Sequence, residues 1–346
     1  MVLDGQEEGV ATLPELLRLR AGQAPEAPFL FYKEEVFTRR ELLKAAESAA
    51  SELASWGLKP ADRLALLLPN CPEFIAYFFG CQLAGATPVP VNTGLKEPEI
   101  VFILEDSGAA GVLLGPAHHA LAEGLKAKCA ELRFSIPMEA GQPKGRLLMK
   151  SGSRSAAAPE SLDRGLPAAI IYTSGTTGFP KGAMLTHANY LANIRQLVSA
   201  IGMTREDRFL CFLPLFHVNG QVVTLLSPLQ SGGSMVLMER FAPKEFFELL
   251  SRRRCTAFSG VPSVYAVLLS LPDSERYDLG SLRFCICGAA PMPVEVFERF
   301  EAKFKAHILE GYGLSEGTCA SSVNPPPPGP RKIGSIGLPL PGQELR

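Results

Sequence analysis

The sequence lacks an excess of charge of either sign. Its 346 residues include 34 Lys and Arg against 35 Asp and Glu, a formal net charge of −1. With no surplus of cations to neutralise a phosphate backbone, the electrostatic basis for a nucleic-acid partner is missing. A long uninterrupted apolar run is also lacking. The most apolar stretch, residues 74–91 (FIAYFFGCQLAGATPVPV), is broken by Gln82, Pro88 and Pro90, so it reads as a buried helix running into a strand rather than a transmembrane segment. The opening residues, MVLDGQEEGV, lack the basic-then-apolar layout of a secretory leader. Paired cysteines are lacking too. The eight that occur, at 71, 81, 129, 211, 255, 285, 287 and 319, are scattered, most of them in apolar contexts. They read as reduced core residues of a cytoplasmic protein. Cys285 and Cys287 form a C-x-C with no second pair at zinc-site spacing, which argues against a thiolate-held metal.

What is present is ample core material, with 47% hydrophobic and 20% charged residues. At roughly 150 residues per domain the length suggests about two domains or one large one. Helical periodicity marks 13–20, 40–56, 73–84 and 97–107, and short apolar runs mark strands at 63–68, 87–91 and 110–114. Residues 142–165 are small, polar and aperiodic, and read as an exposed linker. Beyond it, strands are predicted at 168–173, 208–212, 234–237, 257–259, 282–287 and 306–310. Thr186 N-caps a helix with Leu191, Ile194, Val198 and Ile201 on one face, and Pro293 opens another. Residues 324–330 (NPPPPGP) read as a stiff extended connector. Repeated strand–helix alternation predicts an α/β fold of two packed subdomains with largely parallel sheets. The expected division is 1–165, 166–330, and a short start of a further element at 331–346.

The sharpest motif is YTSGTTGFPKG at 172–182. Glycines allow close backbone approach, hydroxyls add donors, and a lysine supplies charge, which together make a polyphosphate clamp. It is not a Walker A loop, because Lys181 follows Phe179-Pro180 and precedes Gly182.

YTSGTTGFPKG resembles the signature loop of the adenylate-forming superfamily, which includes acyl-CoA synthetases. FLPLFHVNGQ (212–221), SGVPSVY (259–265), CGAAP (287–291), GYGLSE (311–316) and GSIGLPLPG (334–342) resemble further motifs of that family, in family order. The resemblance implies an ATP-dependent carboxylic acid–CoA ligase acting through an acyl-adenylate, with ATP, Mg²⁺ and CoA as cofactor, metal and co-substrate. It implies that Thr173, Ser174, Gly175, Thr176, Thr177, Gly178 and Lys181 hold the β- and γ-phosphates. Glu310, Gly311 and Tyr312 would line the adenine site. Ser315, where the family usually has Thr, would contact the α-phosphate, and Glu316 would ligate Mg²⁺. Lys181, Ser315 and Glu316 are the implied catalytic set. His217, Asn219, Gly288 and Ala289 would flank the acyl group.

The aliphatic run 222–238 suggests a fatty acid as substrate, with an aryl acid second. Arg252, Arg253 and Arg254 read as a solvated helix end. The resemblance makes 331–346 the start of a small β-barrel subdomain, and the family continues past residue 346 into a T-G-D segment and a mobile domain with a further lysine, so the sequence is expected to be an N-terminal part, impaired by itself and prone to self-association as a homo-oligomer. Two alternatives stay open: a fatty acyl-AMP ligase serving a carrier protein, and a non-catalytic acyl- or nucleotide-binding module.

Overall fold

The computed structural model describes residues 9–149, 163–173, 179–272 and 274–346. It is an α/β protein with mostly parallel sheets, as the alternation predicts. Two compact units emerge. One holds the residues up to Pro28 together with Glu35–Leu191, and the other holds Phe29–Glu34 and Ala192–Arg346. Strand β1 (Pro28–Tyr32), all but its first residue, belongs to the second unit, and β2 (Glu35–Thr38) to the first.

The first unit is built on a parallel sheet of β3 (Arg63–Leu67), β4 (Thr87–Pro90), β5 (Ala109–Leu114) and β6 (Phe134–Pro137), in the order β4-β3-β5-β6. Its two central helices pack tightly for a reason visible in the residues. A Cβ on Gly80, in the helix Pro72–Leu83, would lie 2.7 Å from that of Ala49 in the helix Arg39–Ser55. The second of these helices starts on a reciprocal cap, in which Thr38 Oγ1 accepts from the Glu41 amide (3.2 Å) and Glu41 accepts from the Thr38 amide (2.8 Å).

An antiparallel hairpin of β7 (Pro167–Thr173) and β8 (Lys181–Thr186) completes the unit. The hairpin is tied to the rest of the first unit by side-chain hydrogen bonds and apolar packing. Gln82 Nε2 donates to the Ala168 carbonyl (2.8 Å), and Thr87 Oγ1 to that of Pro167 (3.3 Å). Ile170 joins the apolar cluster of β3, β4 and β5. The segment expected as linker also contains a short helix, Lys144–Met149. Its start is held by Glu35, which accepts from the Lys144 amide (2.8 Å), and by the Lys144 ammonium, which donates to the Val36 carbonyl (2.6 Å). Residues 150–162 lie outside the described residues.

The second unit adds β9 (Arg208–Cys211), β10 (Ser234–Leu237), β11 (Ala257–Gly260), β12 (Phe284–Cys287), β13 (His307–Gly313), β14 (Ala320–Val323) and β15 (Leu338–Pro339). The order is β15-β14-β13-β12-β11-β9-β10-β1, parallel from β13 to β1 and antiparallel at β14 and β15. Of residues 331–346, Leu338 and Pro339 extend this sheet as β15. Asp207, fully buried, fixes the near ends of three strands. Its carboxylate accepts from the Thr204 amide (2.8 Å), Thr256 Oγ1 (2.8 Å) and Arg283 (2.5 Å), while its carbonyl accepts from the Ser234 amide (2.9 Å). The core is aromatic. Phe246 meets Phe258 edge-on at 5.0 Å, and Tyr265 meets Phe300 at 5.0 Å.

Most predicted elements recur within a few residues. The proline run is an exception, because the Gly329 amide donates to the Pro326 carbonyl (2.9 Å) and makes a turn there. All eight cysteines are free and buried. Among the described residues no helix is long and apolar enough to cross a membrane.

Candidate functional site

The order of the second sheet contains a switch. From β9 the chain moves to β10 on one side, then returns to place β11 on the other. The segments leaving β9 and β11 therefore diverge, and a crevice opens beyond the carboxyl ends of the strands, where α/β sheets bind ligands. A cavity of about 330 Å³ lies there. Its wall is drawn from the segments that follow β9, β11 and β12, from the end of β13 and the turn after it, from β14, and from Leu197 of the helix His187–Ala200.

The segment after β9 supplies His217 and Asn219. Pro214 lies three residues past the end of the strand, and its carbonyl accepts from the His217 amide (3.1 Å). A Cβ on Gly220 would lie 2.6 Å from that same carbonyl, so only glycine allows the chain to fold back this closely. The following residues, Gly220–Leu226, form a wide π-helical turn that is wholly buried. The His217 ring rests on Phe216, with centroids 4.5 Å apart. Burial lowers the His217 pKa, so its imidazole is neutral at pH 7.

After β12 come Gly288 and Ala289, the latter at φ +69°. Non-glycine residues rarely adopt that conformation, and it recurs at functional sites. Gly311, Tyr312 and Gly313 close β13, and Tyr312 is 45% exposed. A bulge falls between Tyr312 and Gly313. Ser315 follows in a short helical turn and also lines the cavity. Thus seven residues singled out from sequence surround one cavity: His217, Asn219, Gly288, Ala289, Gly311, Tyr312 and Ser315.

Two do not. Glu310 is buried one residue short of the cavity, with its polar groups engaged inside the fold. Its carboxylate accepts from the Gly334 amide (2.8 Å), and its carbonyl accepts from the Asn324 amide (2.8 Å). Glu316 is exposed on the turn beside Ser315.

The phosphate motif lies in the first unit. Thr173 and Lys181 are paired directly across β7 and β8, as are Tyr172 and Gly182. The Tyr172 hydroxyl donates to Asp106 (2.6 Å), and burial, with that carboxylate's help, raises the Tyr172 pKa. Phe179 is exposed and lies against Phe102, with centroids 5.4 Å apart. Ser174, Gly175, Thr176, Thr177 and Gly178 lie outside the described residues. The Arg252–Arg254 run is structural at its first two members, since Arg252 pairs with Glu34 (2.8 Å) and Arg253 donates to the Lys33 carbonyl (2.6 Å).

Sequence reasoning missed part of the wall, including Leu197, Val261, Cys287, Cys319 and Val323. Val261 and Cys287 were findable, because each sits at or just past the carboxyl end of a parallel strand. Burial pushes the thiols of Cys287 and Cys319 up to about 12, so both are neutral. Among the described residues, no Asp, Glu, Lys or Arg lines the cavity.

A parallel sheet with a cavity at its switch point defines an α/β protein of the ligand-binding kind. Residues 17–346 match the AMP-binding enzyme family, and the chain belongs to it. It is 32% identical over 333 residues to the sulfoacetate–CoA ligase of Cupriavidus necator, covering 95% of this chain and 64% of that protein. It is 30% identical over 369 residues to a long-chain-fatty-acid–CoA ligase of Bacillus subtilis, covering 96% and 65%. The crystal structure of the anthranilate CoA ligase AuaEII in complex with anthranoyl-AMP superposes with a TM-score of 0.87 at 25% identity, over 96% of this chain and 64% of that one. The chain thus spans just under two thirds of the length of these proteins.

Proposed function

We propose that this chain forms the nucleotide- and acid-binding part of an AMP-forming carboxylic acid–CoA ligase. The observation that carries the reading is the gathering of seven motif residues, from three separate segments, around one cavity at the switch point. In the first step the substrate carboxylate attacks the α-phosphorus of ATP and pyrophosphate leaves. In the second a thiol, that of CoA, attacks the acyl carbon and AMP leaves. Both anions of the first step must be held together, so donors and charge neutralisation are the main demand.

Tyr312 offers an exposed aromatic face for adenine, with Gly311 beside it. The Ser315 hydroxyl donates toward the α-phosphate. Thr173, Lys181 and the hydroxyls and amides between them take the β- and γ-phosphates. His217 and Asn219 flank the carboxylate, and Gly288 and Ala289 leave room for the acyl group. A Mg²⁺ ion would be held by Glu316. One exposed carboxylate suits an ion carried mainly on phosphate oxygens, and the ion would supply charge neutralisation there.

The acyl group is apolar and carries no second charge, a fatty acid in the first instance. The cavity offers no Arg or Lys among its described residues, and its histidine is neutral. An ω-carboxylate or sulfonate would enter it unpaired, which costs several kcal/mol. Calorimetric titration with non-hydrolysable acyl-adenylate analogues tests both points. An alkanoyl or aroyl analogue should bind about 100-fold more tightly than one ending in a carboxylate. Equal affinities would overturn the substrate class, and no binding of any analogue to the folded chain would overturn the functional reading.

A further inference from the structure

The turn that carries Ser315 is held in an unusual way. It leaves β13 at Gly313 and enters β14 at Ala320, and those two residues are register partners. Between them Thr318, a buried β-branched residue, sits at φ +77° and ψ −45°. This is the region of the rare γ-turn with positive φ, which is strained for any residue with a Cβ. Strain of this kind persists only where the surroundings over-determine it.

Here the surroundings are specific. Asn193, 3% exposed on the helix His187–Ala200, grips both main-chain groups of Ala320. Its Nδ2 donates to the Ala320 carbonyl (2.7 Å), and its Oδ1 accepts from the Ala320 amide (3.1 Å). Gln343 Nε2 adds a second bond to the same carbonyl (3.1 Å) while donating to Gln196 (2.8 Å). Inside the turn the Thr318 amide donates to the Ser315 carbonyl (3.0 Å), so the strained residue and Ser315 move together.

We propose that Asn193 is a positioning residue: by clamping Ala320 it holds the turn in its strained form and so fixes Ser315 in the cavity wall. Asn193 touches no reacting atom. The inference rests on the adenylate-binding reading for its functional half only.

The test is a double-mutant cycle between Asn193→Ala and Thr318→Gly, with two readouts. Glycine adopts positive φ without strain, so Thr318→Gly should raise the thermal midpoint of the otherwise native chain by about 2 °C. That gain should vanish in the Asn193→Ala background, where the unclamped turn has already relaxed. A gain of equal size in both backgrounds, or a loss in both, would overturn the clamp whether or not any ligand binds. With an acyl-adenylate analogue, Asn193→Ala should weaken binding about tenfold, the amount expected for one displaced hydrogen bond to a charged group. Adding Thr318→Gly should restore most of it, because the productive turn is then no longer penalised. A purely structural role for Asn193 predicts no such rescue, and its absence would sink the positioning claim. If the native chain itself binds no analogue, the functional reading fails, and the thermal cycle still decides the clamp.

Discussion

Replacing Gly313 with alanine should cost about 3 kcal/mol or more of stability and abolish analogue binding. A Cβ there would lie 1.6 Å from the Cys319 carbonyl oxygen and 2.6 Å from its carbon. Both neighbours are main chain, so no side chain can swing away to make room. The only escape is to part β13 from β14, and that undoes the register pair of Gly313 with Ala320. Tyr312 and Ser315, on either side of Gly313, would leave the cavity wall together. Urea denaturation with calorimetry on the Gly313→Ala chain checks both halves. Native-like stability with intact binding would mean that the close approach of the two strands is not what shapes the site.

The second large effect is a pH dependence centred on His187. This residue opens a helix in the first unit and is only 2% exposed. Its Nδ1 accepts from the Leu13 amide (3.3 Å), which requires that nitrogen to be unprotonated. Burial lowers its pKa from 6.5 to about 4. Above pH 6.5 the imidazole is neutral whether the chain is folded or unfolded, and its contribution to stability is complete. As pH falls from 6.5 toward 4, the unfolded chain takes up a proton that the folded chain refuses. Stability should therefore drop across that window by about 3 kcal/mol in total, at 1.36 kcal/mol per pKa unit. A His187→Gln chain, compared with the native one by urea denaturation at pH 7, 5.5 and 4.5, should lose this slope. Parallel pH curves for the two would show that His187 does not refuse the proton.

Much of this is legible in the sequence alone. The parallel strands announced themselves as short apolar runs ending in Pro, Gly or Asn, as at Leu66, Leu67, Leu68 and Pro69. The helix after Thr186 was readable because Leu191, Ile194, Val198 and Ile201 keep one spacing, and all four are buried. Seven of the residues singled out through the motifs line one cavity. What escaped has physical reasons. β8 was hidden because Lys181 and Gly182 read as the tail of a phosphate loop, while their pairing with Thr173 and Tyr172 makes them strand. The helix Lys144–Met149 was hidden because its start depends on Glu35, more than a hundred residues away. The wide turn of Gly220–Leu226 matches neither helical nor strand spacing, so no periodicity search could propose it. The clamp by Asn193 was invisible for a similar reason, since its partner is the main chain of a residue on a distant strand.

The eight buried thiols give the protein an internal clock for its own opening. Cys71, Cys81 and Cys129 lie in the first unit, and Cys211, Cys255, Cys285, Cys287 and Cys319 in the second. For each, burial pushes the pKa up, so native thiolate is scarce and alkylation must wait for an opening event. The rate at which each cysteine takes a label therefore times the local unfolding of its own strand or helix, without any probe having to be introduced. Cys287 and Cys319 stand on the cavity wall, so a bound ligand slows their clocks while leaving those of the first unit running at their native pace.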